Sequence, residues 1–296
     1  MRILVINPGS TSTKLALFEG EALLKEANLP VPPGKTEDIW SEFPIRLESI
    51  RDWMLREGVA VEEVAGVVGR GGLLRSVEGG TYRVTEAMLA DARANFQGVH
   101  ASNLGCALAH ALAELAAEGG GRGGEAFVVD PVSTDEFTPL ARYSGLREIP
   151  RRSLSHALSI HALVREVCRR ENVPLEESAF VVAHLGGGIS ICPVRGGRIL
   201  DANNANSGGP FSPSRAGGLP VQELLGLAYS GAFSQADIRS LTLKGGGLMS
   251  YLGTDDARKV EGRIRDGDAE AEEVYRAMAY QIAKEIGAMA TVLEGE

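Results

Sequence analysis

The chain has 296 residues and a formal net charge of −9, with 44% hydrophobic and 23% charged residues. This length and this proportion of hydrophobic residues predict a two-domain globular protein. The excess of acidic over basic residues excludes a broad basic surface for nucleic acid or an anionic membrane. Its three cysteines are odd in number, and no apolar run approaches the roughly 20 residues of a membrane span, so we expect free thiols and a cytoplasmic protein.

The first stretch predicts three strands joined by tight turns. Apolar runs at 2–7, 12–18 and 21–29 are typical of half-buried strands. Small residues fill the first turn, Asn7-Pro-Gly-Ser-Thr-Ser-Thr-Lys14, where backbone N–H groups can point at an anion. A breaker cluster follows at 30–34, and helical spacing then predicts a helix capped by Thr36 or Asp38.

Two strand ends in the next region carry charged residues. A buried strand at 64–68 ends on Gly69-Arg70-Gly71-Gly72, where an arginine between glycines has room for a bulky anion, although a solvated loop arginine is the commoner case. After a helix predicted to be capped by Ser102 and a flexible glycine loop at 119–124, a strand delivers Asp130 to its C-terminal end. Ligands of open α/β sheets bind at such ends, but Asp130 can also simply cap a turn.

The segment Arg151-Arg-Ser-Leu-Ser-His156 is predicted to open a helix that ends near Arg170. The positive end of a helix suits an anion, and a histidine there can donate to one. The alternative is a structural histidine, which is also our interpretation of His161. We expect residues 145–150 to be the crossover between two domains, 1–150 and 151–296.

A second small-residue turn lies in Phe180-Val-Val-Ala-His-Leu-Gly-Gly-Gly-Ile-Ser-Ile-Cys192, at the head of a second predicted meander over 178–204. Three glycines between two strands indicate either a phosphate cradle or an ordinary hairpin. Placing Asn7 over His184 aligns further glycines and leucines of the two segments without a gap. This internal repeat favours a duplicated domain with a cleft between the copies.

The remaining sequence predicts helices that begin at Pro220, Ser234, Asp256 and Asp268, the last ending at Leu293. Between them, Lys244-Gly-Gly-Gly247 superficially suggests a phosphate loop. No serine or threonine follows the lysine and no strand precedes it, so we reject that interpretation.

The chain resembles the acetate kinase family of the actin and sugar kinase superfamily, and most closely its butyrate kinases. The resemblance rests on the two turns above and on three further segments: Gly209-Pro-Phe-Ser-Pro-Ser-Arg-Ala-Gly217, Tyr251-Leu-Gly-Thr254 and Tyr280-Gln-Ile-Ala-Lys-Glu-Ile-Gly-Ala-Met289. It implies an α/β fold of two actin-like ATPase (ribonuclease H-like) domains, each a β-meander with crossover helices. The first domain would serve the acyl substrate and phosphate, and the second the nucleotide.

The resemblance also implies a reaction, transfer of the γ-phosphoryl group of ATP to butyrate or a similar short-chain carboxylate, with Mg²⁺ as cofactor. The catalytic residues it implies are Arg70, Asp130, His156 and Arg215. The phosphate- and nucleotide-binding residues it implies are Asn7, Gly9, Ser10, Thr11, Ser12, Lys14, His184, Gly186, Gly187 and Gly188. Asn7 and Asp130 would hold Mg²⁺, largely through water. The family further implies a homodimer or a higher assembly.

Two departures leave alternatives open. Ala216 stands where the family has serine, and relatives continue past the position of Leu293 with a strand, an adenosine loop and a closing helix. We therefore expect a C-terminally incomplete second domain and weak ATP binding. The alternatives are a remnant that binds phosphate or supports assembly, and a sugar kinase or polyphosphatase on the same fold. A sugar kinase needs an aspartate base, whereas Arg70, Arg215 and His156 favour an anionic acceptor.

Overall fold

The computed structural model describes residues 1–31, 38–120 and 124–295, which form two compact units, Met1–Thr134 and Asp135–Glu296. The predicted cap Thr36, most of the breaker cluster and the middle of the glycine loop lie outside the described residues. The division between the units precedes residue 150, because Phe137 and Ala141 are buried in the core of the second unit. No helix among the described residues is long and apolar enough to cross a membrane.

The described residues of the first unit form a six-stranded sheet and three helices. Its elements are β1 (Arg2–Pro8), β2 (Ser12–Glu19), β3 (Ala22–Pro30), α1 (Phe43–Arg56), β4 (Val64–Gly69), β5 (Thr81–Arg83), α2 (Glu86–Arg93), α3 (Leu104–Glu118) and β6 (Ala126–Val129). The strand order is β3-β2-β1-β4-β6-β5. Strands β1 to β3 form the predicted antiparallel meander, whereas β4 is parallel to β1, and β6 is parallel to β4.

The core of this unit follows from the alternation of its strands. Leu4 and Ile6 of β1 are fully buried and belong to the same apolar cluster as Ile50 of α1 and Leu108 of α3. Because β1, β4 and β6 are parallel, their carboxyl ends lie at the same edge of the sheet. That edge therefore carries the residues at or just after each strand end, Asn7, Arg70 and Asp130.

The second unit has a three-stranded antiparallel sheet and six helices among its described residues. Its elements are α4 (Ala157–Glu171), β7 (Ala179–Leu185), β8 (Ile189–Arg195), β9 (Arg198–Ile199), α5 (Val221–Ala228), α6 (Gln235–Leu243), α7 (Leu248–Leu252), α8 (Ala257–Arg265) and α9 (Ala269–Val292). Alternation along β8 separates two faces of the sheet. Cys192 and Val194 belong to one cluster with Ile160 of α4, and Ile191 belongs to another with Met289 of α9.

Helix starts test the capping predictions. Ser234, Asp256 and Asp268 accept hydrogen bonds from backbone N–H groups of α6, α8 and α9, as expected. Asp38 caps a 3-10 turn, Ile39–Glu42, that precedes α1. The prediction for Ser102 is wrong, since Ser102 lies inside a 3-10 turn that is capped by the His100 side chain. The α/β fold class is confirmed.

Candidate functional site

The predicted site residues fall into two sets, one in each unit. The first set begins at the turn between β1 and β2. The Gly9 N–H donates to the Ser12 carbonyl at 2.8 Å, and Ser10 and Thr11 are exposed. Lys14 is exposed on β2, directly opposite Asn7 in the ladder. The turn thus presents two exposed small residues next to the polar side chains of Asn7 and Lys14.

A buried arginine that was not among the predicted site residues lies behind this turn. Arg46 of α1 is 1% exposed and donates to the carbonyls of Gly9 and Ser12. A signal was present in the sequence, because Arg46 lies three residues after Phe43 and four before Ile50 on the apolar stripe of the predicted helix. A charged residue in such a stripe is buried only when it has partners.

Arg70 lies at the edge of the sheet next to Asn7. Its backbone N–H donates to Ile6 O at 2.8 Å, and its Nη1 donates to Asn7 Oδ1 at 3.3 Å. Burial lowers the pKa of this half-buried guanidinium, which nonetheless stays charged because arginine titrates far above neutrality. The flanking glycine is required, since a Cβ on Gly69 would lie 2.6 Å from the Gly105 carbonyl carbon at the start of α3.

Asp130 follows β6 with a φ of 40°, a left-handed conformation that is uncommon for residues other than glycine. It is 2% exposed. Its Oδ1 accepts from Gly80 N at 2.7 Å, and its own N–H donates to Gly80 O at 3.0 Å. Asp130 therefore anchors the segment before β5, a structural role distinct from the local turn cap that the sequence suggested. Its position at the shared sheet edge agrees equally with the ligand interpretation.

The second set is built around two stacked histidines. The rings of His156, at the start of α4, and His184, on β7, have centroids 3.8 Å apart and an interplanar angle of 12°. His156 Nδ1 lies 2.9 Å from Ser190 Oγ. Ser190 is fully buried on β8, opposite His184 in the ladder. The hydroxyl of Ser190, which sequence analysis did not select, therefore orients the His156 ring.

Arg215 lies over the three-glycine turn. A Cβ on Gly188 would be 2.6 Å from Arg215 Cζ, so only glycine leaves room for the guanidinium. Ser212 Oγ donates to Gly187 O at 2.6 Å and accepts from Arg215 N at 3.2 Å, which ties the turn to the arginine loop. Burial lowers the pKa of Arg215, but as with Arg70 the charge remains.

His161 is 2% exposed and its Nε2 lies 3.2 Å from Glu136 Oε2, which also accepts from Ile199 N. These contacts join α4 to β9 and agree with the structural interpretation of His161. Within the part of the chain that the structure describes, no three His, Cys, Asp or Glu side chains come together as a metal cluster. At the edge of the first unit's sheet, Asn7 and Asp130 carry side-chain oxygens of the type that a hard cation prefers.

Comparisons with known proteins agree with these observations. A model of the acetokinase family matches residues 145–296. A probable butyrate kinase 2 of Caldanaerobacter subterraneus subsp. tengcongensis is 45% identical over 298 residues, covering 100% of this chain and 82% of the relative. A probable butyrate kinase of Listeria welshimeri is 44% identical, covering 99% of this chain and 82% of the relative.

Two solved structures share the fold. An acetate kinase of Porphyromonas gingivalis superposes with a TM-score of 0.79 at 19% identity, covering 98% of this chain and 80% of that one. A propionate kinase of Francisella tularensis gives a TM-score of 0.76 at 17% identity, with the same shares covered. At these low identities the likeness shows the fold alone.

Proposed function

This chain belongs to the acetokinase family, and on that premise we propose that it is a carboxylate kinase acting on butyrate or a similar short-chain fatty acid. The reaction transfers the γ-phosphoryl group of ATP to the carboxylate and yields an acyl phosphate and ADP. The observation that carries the proposal is the placement of Arg215 on the three-glycine turn, in the same unit as the stacked His156 and His184. A cation, ring N–H donors and backbone amides are the groups that a phosphoryl transfer between two anions requires.

A carboxylate acceptor is already deprotonated, so the reaction needs no general base. Rate enhancement comes from in-line positioning and from stabilising charge on the transferred group. In this scheme Arg70 neutralises the acyl carboxylate and Arg215 the transferring phosphoryl. His156 donates a hydrogen bond to the phosphoryl oxygens, and the Ser190 hydroxyl holds its ring in place.

Within each unit, the small-residue turn is the proposed binding segment for phosphates of ATP. The residues proposed to contact them are Asn7, Gly9, Ser10, Thr11, Ser12 and Lys14 in the first unit, and His184, Gly186, Gly187 and Gly188 in the second. Ser10 and Thr11 have short side chains and are exposed, which supports this role.

Mg²⁺ fits the donor set of the first unit. It prefers oxygen ligands and is commonly held by one or two carboxylates, waters and substrate phosphates. Asp130 supplies the carboxylate and Asn7 an amide oxygen at the same sheet edge, and both would act largely through water. When bound, the ion neutralises phosphate charge.

We extend the proposal to a homodimer or a higher homo-oligomer in the cytoplasm. The three cysteines, Cys106, Cys168 and Cys192, are all buried free thiols, which supports a reducing compartment. Size-exclusion chromatography with light scattering tests the assembly.

The activity is tested by trapping acyl phosphate with hydroxylamine after incubation with ATP, Mg²⁺ and butyrate. Acetate, a hexose and polyphosphate serve as competing substrates. We expect butyryl hydroxamate, with kcat lowered roughly 10³-fold by Arg70→Ala or Arg215→Ala. ADP formation with the hexose but not with butyrate would establish a sugar kinase. Phosphate binding without turnover would establish a binding protein.

A further inference from the structure

Arg46 uses its whole guanidinium in the contacts behind the first turn. The group carries five N–H donors. Nε and Nη2 donate to Glu42 Oε2 at 3.0 and 2.7 Å. Nη2 also donates to Gly9 O at 2.8 Å, and Nη1 donates to Thr13 Oγ1 at 2.8 Å and to Ser12 O at 3.3 Å. A side chain that is 1% exposed is thus fully paired, and three of its five bonds go to the turn.

These bonds determine the direction of the turn's backbone. In a planar trans peptide the C=O of one residue and the N–H of the next point in opposite directions. Because Gly9 O faces Arg46, the N–H of Ser10 points away from α1, toward the exposed side of the turn. The carbonyl of Thr11 is also engaged, since Val31 N donates to it at 3.0 Å. The carbonyl oxygens of Gly9, Thr11 and Ser12, which would repel a phosphate, are therefore each engaged by a donor of the protein.

We propose that Arg46 is a positioning residue for the kinase reaction: it holds the Gly9–Thr13 turn so that the Ser10 amide is directed at the phosphates of ATP. This inference rests on the proposed phosphate-binding function of that turn. Arg46 does not touch the phosphates, because it lies on the opposite side of the turn and is buried. Its charge is compensated by Glu42, so its contribution is geometric preorganisation rather than long-range attraction.

The fork of the guanidinium is essential to this role. Lysine keeps the positive charge but has three donors on one atom and cannot span Gly9 O, Thr13 Oγ1 and Glu42 together. Arg46→Lys therefore keeps the positive charge but loses the hydrogen-bond geometry, so the two contributions can be measured separately. Thr13→Val removes one of the oxygens that accept hydrogen bonds from Arg46, at nearly constant side-chain volume, and serves as a milder variant. Ile50→Val, on the same helix and fully buried, is the matched control, because it lowers stability without touching the turn.

The test measures magnesium pyrophosphate and MgATP affinity by calorimetry, together with KM for ATP, KM for butyrate, kcat and Tm. In Arg46→Lys we expect the Kd for pyrophosphate and the KM for ATP to rise about tenfold, with a much smaller change in KM for butyrate. Ile50→Val should lower Tm while leaving both Kd values unchanged. Unchanged affinity in Arg46→Lys, with only Tm lowered, would overturn the proposal.

If Arg46→Lys does not fold, the pyrophosphate affinity of Thr13→Val tests the role of Arg46 instead. We then expect a rise of about threefold in the Kd for pyrophosphate, and a wild-type Kd overturns the role of Arg46. The pyrophosphate measurement is independent of the acceptor. A wild-type protein that binds pyrophosphate but does not phosphorylate butyrate would refute the proposed substrate while the comparison of variants still tests Arg46. A wild-type protein that phosphorylates butyrate, with no loss in either variant, would refute Arg46 alone.

Discussion

Replacing Gly188 with alanine tests the contact between the three-glycine turn and Arg215. The added Cβ would lie 2.6 Å from Arg215 Cζ, whereas ordinary contacts begin near 3.4 Å. The guanidinium must therefore move by about 1 Å, because it is the end of a flexible side chain and gives way before backbone does. Gly188 has no positive φ, so alanine adds no backbone strain.

The expected magnitude follows from this displacement. A misplacement of about 1 Å in a catalytic constellation costs on the order of 10²-fold in rate. Stability should change little, since Gly→Ala at a compatible position contributes about 0.4–1 kcal/mol through the unfolded state, which offsets the cost of moving Arg215. Gly188→Ala should thus lose activity while keeping a Tm near that of the wild type.

The assay is hydroxamate formation from ATP and butyrate, with Tm from calorimetry on the same samples. Gly187→Ala is the comparison, because its Cβ would meet only Ser214 Oγ, at 4.0 Å. We expect Gly187→Ala to lose clearly less activity than Gly188→Ala. Equal kcat values for Gly188→Ala and the wild type would refute the proposed catalytic role of the Arg215 guanidinium in its position over Gly188.

Three further predictions concern single side chains. His156→Ala should lower kcat roughly 10²-fold, and His156→Gln, which keeps a donor, should retain more activity; equal losses would contradict a donor role. Burial raises the pKa of Cys106 to about 11 and also raises that of Cys192, so iodoacetamide at about pH 8 should label neither thiol until the protein is denatured, and fast native labelling would count against this. The Arg75 guanidinium, hydrogen-bonded to Asp91, holds the pKa of that buried carboxyl below its usual range. Its stabilisation is therefore present above the unfolded pKa of about 3.9 and is lost as pH falls through the folded value. Asp91→Asn should lower Tm at neutral pH but progressively less below about pH 4, and a pH-independent loss would exclude the ion pair as the cause.

Local sequence was enough to predict the strands other than β5, the two turns and most helix starts. Alternation in β1 and β2, the three glycines after His184, and the caps at Ser234 and Asp268 each depend on residues a few positions apart. Those preferences act within one turn or one strand, so they can be recognised without knowing the fold. The parallel strand ends that bring Asn7 and Arg70 together were predictable only as a general property of α/β sheets.

The tertiary structure decided which side chains support the site. Arg46 contacts the Gly9 turn from a helix more than thirty residues later in the chain. Ser190, on β8, contacts His156 at the start of α4. Gly188 is required because Arg215 lies over it, a fact that the glycine run itself does not contain. Such contacts join segments that are distant along the chain, and burial determines their energies. No local pattern encodes them, because the sequence specifies each partner but only packing brings the two together.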